Sequence, residues 1–271
     1  MKKKVSIIMG VYNCAPTLRE AIESILKQTY TDWEFVICDD GSKDSTMEIL
    51  EQYARDYPDK FVILKNDINQ GLNATLNKCL ASAQGIYIAR QDGDDISDPS
   101  RLSKEVVFLE NHPEYILVSS HMDFFDENGV WGRWKTPEKP ERVDFLRQSP
   151  CFCHAACMIR RDAFVDVGGY TEENRYLRCE DINLWYKLYA KGYKGYNIQE
   201  PLYMMRDDQN AYNRRTIQNR INIVLTEYDG MRSLQLRFWE YHYFIRKVVK
   251  NMVLIVIPAW IYKYLHKKRL N

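Results

Sequence analysis

The chain has 271 residues, enough for one sizeable domain or a domain with an appendage, and its 45% hydrophobic and 28% charged content is that of a globular enzyme. A net charge of +1 argues against a nucleic-acid partner. That average hides an asymmetry, because Met231 to Asn271 holds nine Lys or Arg and one acidic residue.

Seven cysteines without a regular framework point to a reducing, cytoplasmic compartment. Cys151, Cys153, His154 and Cys157 lie close together, but no second C-x-x-C or H-x-x-x-H half accompanies them. Buried thiols explain them better than zinc. The start, Met1-Lys2-Lys3-Lys4 before an apolar stretch, superficially resembles a signal peptide. Tyr12 and Asn13 interrupt that stretch and no small-x-small site follows, so a strand entering a helix is the better reading.

In chain order the pattern predicts a strand at Val5–Met9, then an amphipathic helix at Pro16–Gln28 with Pro16 in its first turn. A second strand follows at Trp33–Cys38. Ser42 to Ser45 offer capping chemistry for a helix to about Asp56. Strands at Phe61–Leu64 and Ile86–Ala89 bracket a helix from about Gly71 to Ala83. This alternation implies βαβ units and a mainly parallel sheet, whose ligands sit beyond the carboxyl ends of the strands.

Two acidic segments fall at such ends. Strand two runs into Asp39-Asp40-Gly41, and strand four into Asp92-Gly93-Asp94-Asp95. Three carboxylates in four residues repel one another unless a cation sits among them, and hard divalent cations prefer such oxygen ligands. Asp39 or Asp40 could accept hydrogen bonds from a nucleobase imide or ribose, or could cap a helix; Ser42 or Asp44 could cap instead and leave Asp40 free. Asn69-Gln70-Gly71 opens the third helix, where free backbone N–H groups favour anions.

Beyond Pro99 the pattern predicts a helix to about Asn111, a strand at Ile116–Ser120, a hairpin turn at Asp126–Gly129 and a loop or short helix over Glu138–Pro150. Ala155–Ile159 returns to the sheet. A helix spans Glu180–Ala190, with the acidic pair Glu180 and Asp181 in its first turn. Either macrodipole stabilisation or general-base chemistry explains that pair. His154 is either a second candidate proton carrier or, the better reading, a satisfied structural histidine, and Trp185 suggests a partly buried acceptor site. The apolar run Met252–Tyr262 is too short to span a bilayer, which needs about 20 residues. Lys247, Lys250, Lys263, Lys267, Lys268 and Arg269 flank it, which suits adsorption to an anionic leaflet or packing on the domain.

Five ordered motifs carry a family resemblance: Val5 to Asn13, Cys38 to Thr46, Asn69 to Leu72, Tyr87 to Ile96 with Pro99 and Arg101-Leu102, and Gly168-Gly169-Tyr170 with Glu180-Asp181. Over residues 4–205 the chain resembles family 2 glycosyltransferases. The resemblance implies an α/β GT-A fold with a mainly parallel central sheet. It divides the chain into a catalytic domain at 1–210 (nucleotide half 1–98, acceptor half 99–210) and a helical C-terminal extension at 211–271. It implies an inverting transferase using a nucleotide-diphospho-sugar, a UDP-sugar, with Mg²⁺ or Mn²⁺ and a glycan or lipid-linked acceptor.

Carried over by motif, Val11 and Tyr12 flank the base and Asp40 binds its imide, with Asn13, Asp39, Asn69, Gly71 and Gly93 in the donor-binding set. Asp92 contacts the ribose or metal, and Asp94 holds the metal on the diphosphate. Asp181, beside Glu180, deprotonates the acceptor, while His154 and Trp185 bind it. Gly10 departs from the family, which commonly has Pro there, and is expected to loosen the turn after the first strand. Two alternatives remain: a nucleotidyltransferase, for which the Gly-rich basic phosphate loop is missing, and a non-catalytic sugar-nucleotide-binding subunit. The implied location is the inner face of the plasma membrane, with the C-terminal tail as a peripheral contact.

Overall fold

The computed structural model describes residues 3–147, 150–207, 216–235 and 237–257. Its first part alternates as the pattern predicts: β1 (Val5–Val11), α1 (Ala15–Leu26), β2 (Trp33–Asp39), α2 (Thr46–Asp56), β3 (Phe61–Lys65), α3 (Leu72–Ser82) and β4 (Tyr87–Arg90). The four strands are parallel in the order β3-β2-β1-β4. Successive side chains point to opposite faces, so the sheet divides the core in two. Ile7, Met9, Phe35 and Ile37 pack with Leu18, Ile22 and Ile25 of α1. Ile8, Val36 and Cys38 pack with Leu76 and Cys79 of α3. The apolar stretch that follows the Lys-rich start is thus the body of β1.

The chain then forms β5 (Ile96–Ser97), α4 (Arg101–Asn111), β6 (Leu117–Asp126), β7 (Gly129–Trp134), α5 (Arg142–Arg147), β8 (Met158–Arg160), α6 (Arg161–Asp166), α7 (Glu180–Ala190) and β9 (Gly195–Arg206). β8 joins the halves, running antiparallel to both β4 and β6. β6 pairs in parallel with β9, which carries the short antiparallel β5. The sheet is therefore mixed beyond β4, and it continues without a break across the expected division at residue 98. Two helices, α8 (Ile217–Ser233) and α9 (Tyr241–Val256), form the C-terminal extension. Gly230 lets α8 close on α7, since a Cβ there would lie 2.0 Å from the ring of Tyr186.

Several expectations shift. Ile86 is exposed and precedes β4, its N–H bonded to Lys4 O at 2.9 Å. Gly10 lies inside β1, paired with Cys38, so the departure from Pro does not touch the turn. A Cβ there would stand 3.0 Å from Thr75 Cγ2, which gives the glycine a packing reason. The strand expected at Ile116–Ser120 runs to Asp126, because Ser119, Ser120, His121 and Asp123 are polar yet buried. Their bonds are internal: Ser119 Oγ donates to Cys153 O at 2.8 Å, and Arg133 Nε donates to Asp123 Oδ1 at 2.6 Å.

Candidate active site

The loops after β1 and β2 are stitched together. Asn13 adopts φ +52, a conformation Asn tolerates better than most residues. Its N–H donates to Ser42 Oγ at 2.9 Å, and its Oδ1 accepts from Lys43 N–H at 2.8 Å. Asp40 N–H donates to Val11 O at 2.8 Å. Tyr12 remains 46% exposed on this rim. Asp39 is buried and holds the N–H and hydroxyl of Ser42.

Asp40 is not free. Its Oδ1 accepts from Asn66 Nδ2 and Gln70 N–H, both at 2.8 Å, and its Oδ2 accepts from Gly71 N–H at 2.9 Å. Asp44, one residue before the N-cap Ser45, accepts from Thr46 N–H at 3.0 Å at the start of α2, yet this leaves Asp40 to organise the next loop. The N–H groups expected to attract an anion from outside already bind one from the protein. Gly71, at φ +87, makes that turn possible, and Asn69 stays exposed beside it.

The acidic loop after β4 is pinned from below. Gln91 is fully buried, and its Nε2 donates to Asp92 O at 3.1 Å and Asp95 O at 3.0 Å. Tyr203 Oη accepts from Asp92 N–H at 3.1 Å. Arg206, at the end of β9, donates its N–H to Asp95 Oδ1 at 2.8 Å and its Nε–H to Asp94 O at 3.0 Å. Gly93 packs on Val11, whose Cγ1 a Cβ would meet at 2.9 Å. Burial, reinforced by the charges of Asp94 and Asp92, pushes Asp95 well above the usual carboxylate range.

Arg90 connects this loop to the second half. Its Nη2 lies 2.7 Å from Asp92 Oδ1, and its Nη1 lies 2.6 Å from His154 Nδ1. A guanidinium only donates, so Nδ1 accepts and the imidazole keeps its proton on Nε2, 2.9 Å from Tyr170 Oη. Burial first, then Arg90's charge, holds His154 well below its ordinary pKa. The ring is neutral with both nitrogens engaged, the arrangement of a satisfied structural histidine.

Glu180 and Asp181 are half-buried at the start of α7. Burial and the neighbouring Asp181 push Glu180 up to about 7, against the pull of Arg90. Burial likewise raises Asp181, offset by the Ile182 N–H that its Oδ1 accepts at 2.7 Å. Trp185, one turn further on, is 2% exposed and packs edge-on to His154 with Phe152 beneath. It packs in the core and is not part of the cleft lining. Cys151 and Cys157 are core residues too, their thiols pushed up to about 12 by burial.

One cleft of about 560 Å³ collects Arg90, Asp92, Asp94, His154, Glu180 and Asp181 in its lining. Val11, Tyr12, Asn13, Asp39, Asp40, Asn69 and Gly71 do not line it; they lie at the ends of β1 and β2 and in the neighbouring loops. Sequence reasoning missed Arg90 and Arg206. The signal for Arg90 was a charge ending a buried strand directly before the acidic loop. Among the described residues no group of three His, Cys, Asp or Glu side chains is arranged to hold a metal alone. Asp92 and Asp94 nevertheless offer carboxylate oxygens to one cleft, a donor set that fits a hard divalent cation.

A parallel βαβ half, an acidic loop beyond its last strand and a second acidic pair across a mixed sheet define a glycosyltransferase of the GT-A fold. The chain belongs to glycosyltransferase family 2: the family model described as Glycosyl transferase family 2 matches residues 6–168. A putative glycosyltransferase of Bacillus subtilis, EpsE, is 44% identical over 98% of this chain and 94% of its own. The Escherichia coli UDP-Glc:alpha-D-GlcNAc-diphosphoundecaprenol beta-1,3-glucosyltransferase WfaP is 30% identical over 71% of this chain and 73% of its own. Among solved structures, Staphylococcus aureus TarS in complex with UDP-GlcNAc superposes with TM-score 0.66 at 17% identity, covering 92% of this chain and 80% of that one. A Pyrobaculum calidifontis mannosyltransferase with GDP-Man and Mn²⁺ gives 0.67 at 18%, covering 98% and 80%. At these identities the two structures support the fold.

Proposed function

We propose that the protein is an inverting, metal-dependent hexosyl- or N-acetylhexosaminyltransferase. It moves a sugar from a UDP-sugar to a hydroxyl of a glycan or lipid-linked acceptor during synthesis of a cell-surface polysaccharide. The observation that carries this reading is the shared cleft: Asp92 and Asp94 line it together with Glu180 and Asp181. Family membership favours this reading over the nucleotidyltransferase alternative. The named activity of the Escherichia coli relative supports a UDP-sugar and a lipid-linked acceptor.

Asp94, with Asp92, would hold Mg²⁺ or Mn²⁺. A divalent ion there supplies charge stabilisation for the departing nucleoside diphosphate. Val11, Tyr12, Asn13, Asp39 and Asp40 frame the base and ribose on the adjoining rim, with Asn69 and Gly71 keeping the third loop in place. Asp181 takes the proton from the acceptor hydroxyl, and Glu180 sets the pH at which it can do so. His154 acts by positioning Arg90. The enzyme works on the inner face of the plasma membrane, with the C-terminal extension as its contact. Residues 258–262 of the apolar run lie outside the described residues.

Thermal melts with UDP-glucose, UDP-galactose, their N-acetyl forms and dTDP-rhamnose, with and without Mn²⁺, test this reading. A donor at a hundred times its dissociation constant stabilises by about 2.7 kcal/mol. One donor is expected to raise the melting temperature only with metal present. A flat response to every donor would overturn the assignment.

A further inference from the structure

Helix α9 has two unlike sides. Its inner side is anchored: Lys247 Nζ donates to Glu227 Oε2 at 2.7 Å, and Asn251 is buried. Its outer side carries Tyr241, Ile245, Val249, Met252, Val253 and Ile255, all exposed. Their spacing of mostly three and four residues gathers them on one face. The turn leading into the helix adds Phe238, 90% exposed, and Trp239, 66% exposed. A contiguous apolar surface of this kind marks an interaction site in a soluble domain.

The Lys and Arg side chains of α9 face no acidic residue on the helix itself. Arg246 and Lys250 are exposed along one edge of the apolar face. No Asp or Glu follows Glu240 in the sequence, and Glu240 is itself bound to Arg142 Nη2 at 2.7 Å. Residues 258–271 bring Lys263, Lys267, Lys268 and Arg269. An apolar face with aromatic residues and the exposed Arg246 and Lys250 along one edge matches the headgroup region of an anionic bilayer. A two-fold contact between copies would set the same cationic edges near one another. At 16 residues, α9 is about 24 Å long, and no described helix is long and apolar enough to cross a membrane.

We propose that the outer face of α9, with Phe238 and Trp239, lies in the plane of an anionic lipid surface. Met252, Val253 and Ile255 of the apolar run recognised in the sequence form the distal part of this larger face. Lys250 stands on the same helix and also lines the catalytic cleft, as do Asn219 and Arg220 of α8. The cleft thus adjoins the docking face, and an acceptor held in the bilayer would reach Asp181 from beside α9. This inference rests on the peripheral location proposed above and specifies its surface.

Flotation of the full chain with phosphatidylcholine vesicles, with or without phosphatidylglycerol, tests it. The wild type is expected to float about tenfold more with the anionic vesicles, as a few basic residues near such a surface allow. Ile245→Glu with Val249→Glu should abolish flotation while the donor-dependent melting shift survives. Val249→Ser, a milder change, should reduce flotation measurably even where added charge unfolds the helix. If the Glu pair floats like wild type while Lys267→Ser with Lys268→Ser and Arg269→Ser does not, the tail alone is the contact; the inference falls and peripheral location stands. If the wild type fails to float, both fall. If light scattering shows a dimer that the Glu pair dissociates without changing flotation, the occupant is a second copy and the inference is overturned.

Discussion

Arg90 and Asp92 are two residues apart, and their side chains meet with Nη2 2.7 Å from Oδ1. The other arm of the same buried guanidinium holds His154, so one planar fork ties the acidic loop to the second half of the sheet. An ammonium cannot serve both partners in that geometry. Arg90→Lys is therefore expected to lower kcat/KM by at least about tenfold, and Arg90→Ala to lose roughly 1–3 kcal/mol of stability by leaving the buried Nδ1 of His154 without its donor. Urea unfolding alongside steady-state kinetics measures both; an unchanged midpoint for Arg90→Ala would refute the fork.

The acidic pair on α7 sets a second expectation. The base, Asp181, acts only when ionised, and burial raises its pKa, so activity should rise with pH along a limb above the ordinary carboxylate range. Each carboxylate raises its neighbour's pKa. Glu180→Gln removes a negative charge from beside Asp181, so the limb should move to lower pH. Asp181→Asn should cost about 100-fold or more in kcat. A limb that stays in place in Glu180→Gln would separate the two groups.

His154 gives a spectroscopic test. Its pKa is depressed, so the folded ring stays neutral across pH 6–8 and charges only well below its ordinary value. Nitrogen NMR of the imidazole should show the Nε2–H tautomer without titration in that range. An imidazolium signal at pH 6 would contradict the bond from Arg90.

Asp40 and Asp94 should separate by phenotype. Asp40→Ala strands the backbone N–H groups of Gln70 and Gly71 and is expected to cost about 2–4 kcal/mol, read from denaturation midpoints. Asp94→Asn removes a charge that presses on buried Asp95, so stability should hold while metal-dependent donor binding disappears. Loss of stability in Asp94→Asn with donor binding intact would reverse that division.

Much of the first half was legible in the sequence because its strands alternate with well-patterned helices of a parallel sheet, and its acidic loops follow from strand ends. The second half was less so. β9 escaped because Pro201 sits where its register to β6 jumps, from Ser120 opposite Ile198 to His121 opposite Pro201, and proline argues against a strand unless a bulge absorbs it. The cleft's acids were found as residue types, whereas Arg90's fork and the closing of Asp40 on the third loop depend on contacts between distant segments. The burial of Trp185 is equally hard to read from the sequence, because a helix carries cleft-facing and core-facing residues within one turn.

The hold of Arg206 on the acidic loop has a consequence for biosynthesis. Its bonds to Asp94 and Asp95 join residues 111 and 112 positions apart in sequence. A nascent chain that has emerged as far as β4 and its loop holds all of the clustered aspartates but not the arginine that fixes them. Contacts of such sequence separation form late and slowly. On the ribosome, the parallel half can therefore assemble as a scaffold while its acidic loop waits, unshaped, for the end of β9 to arrive.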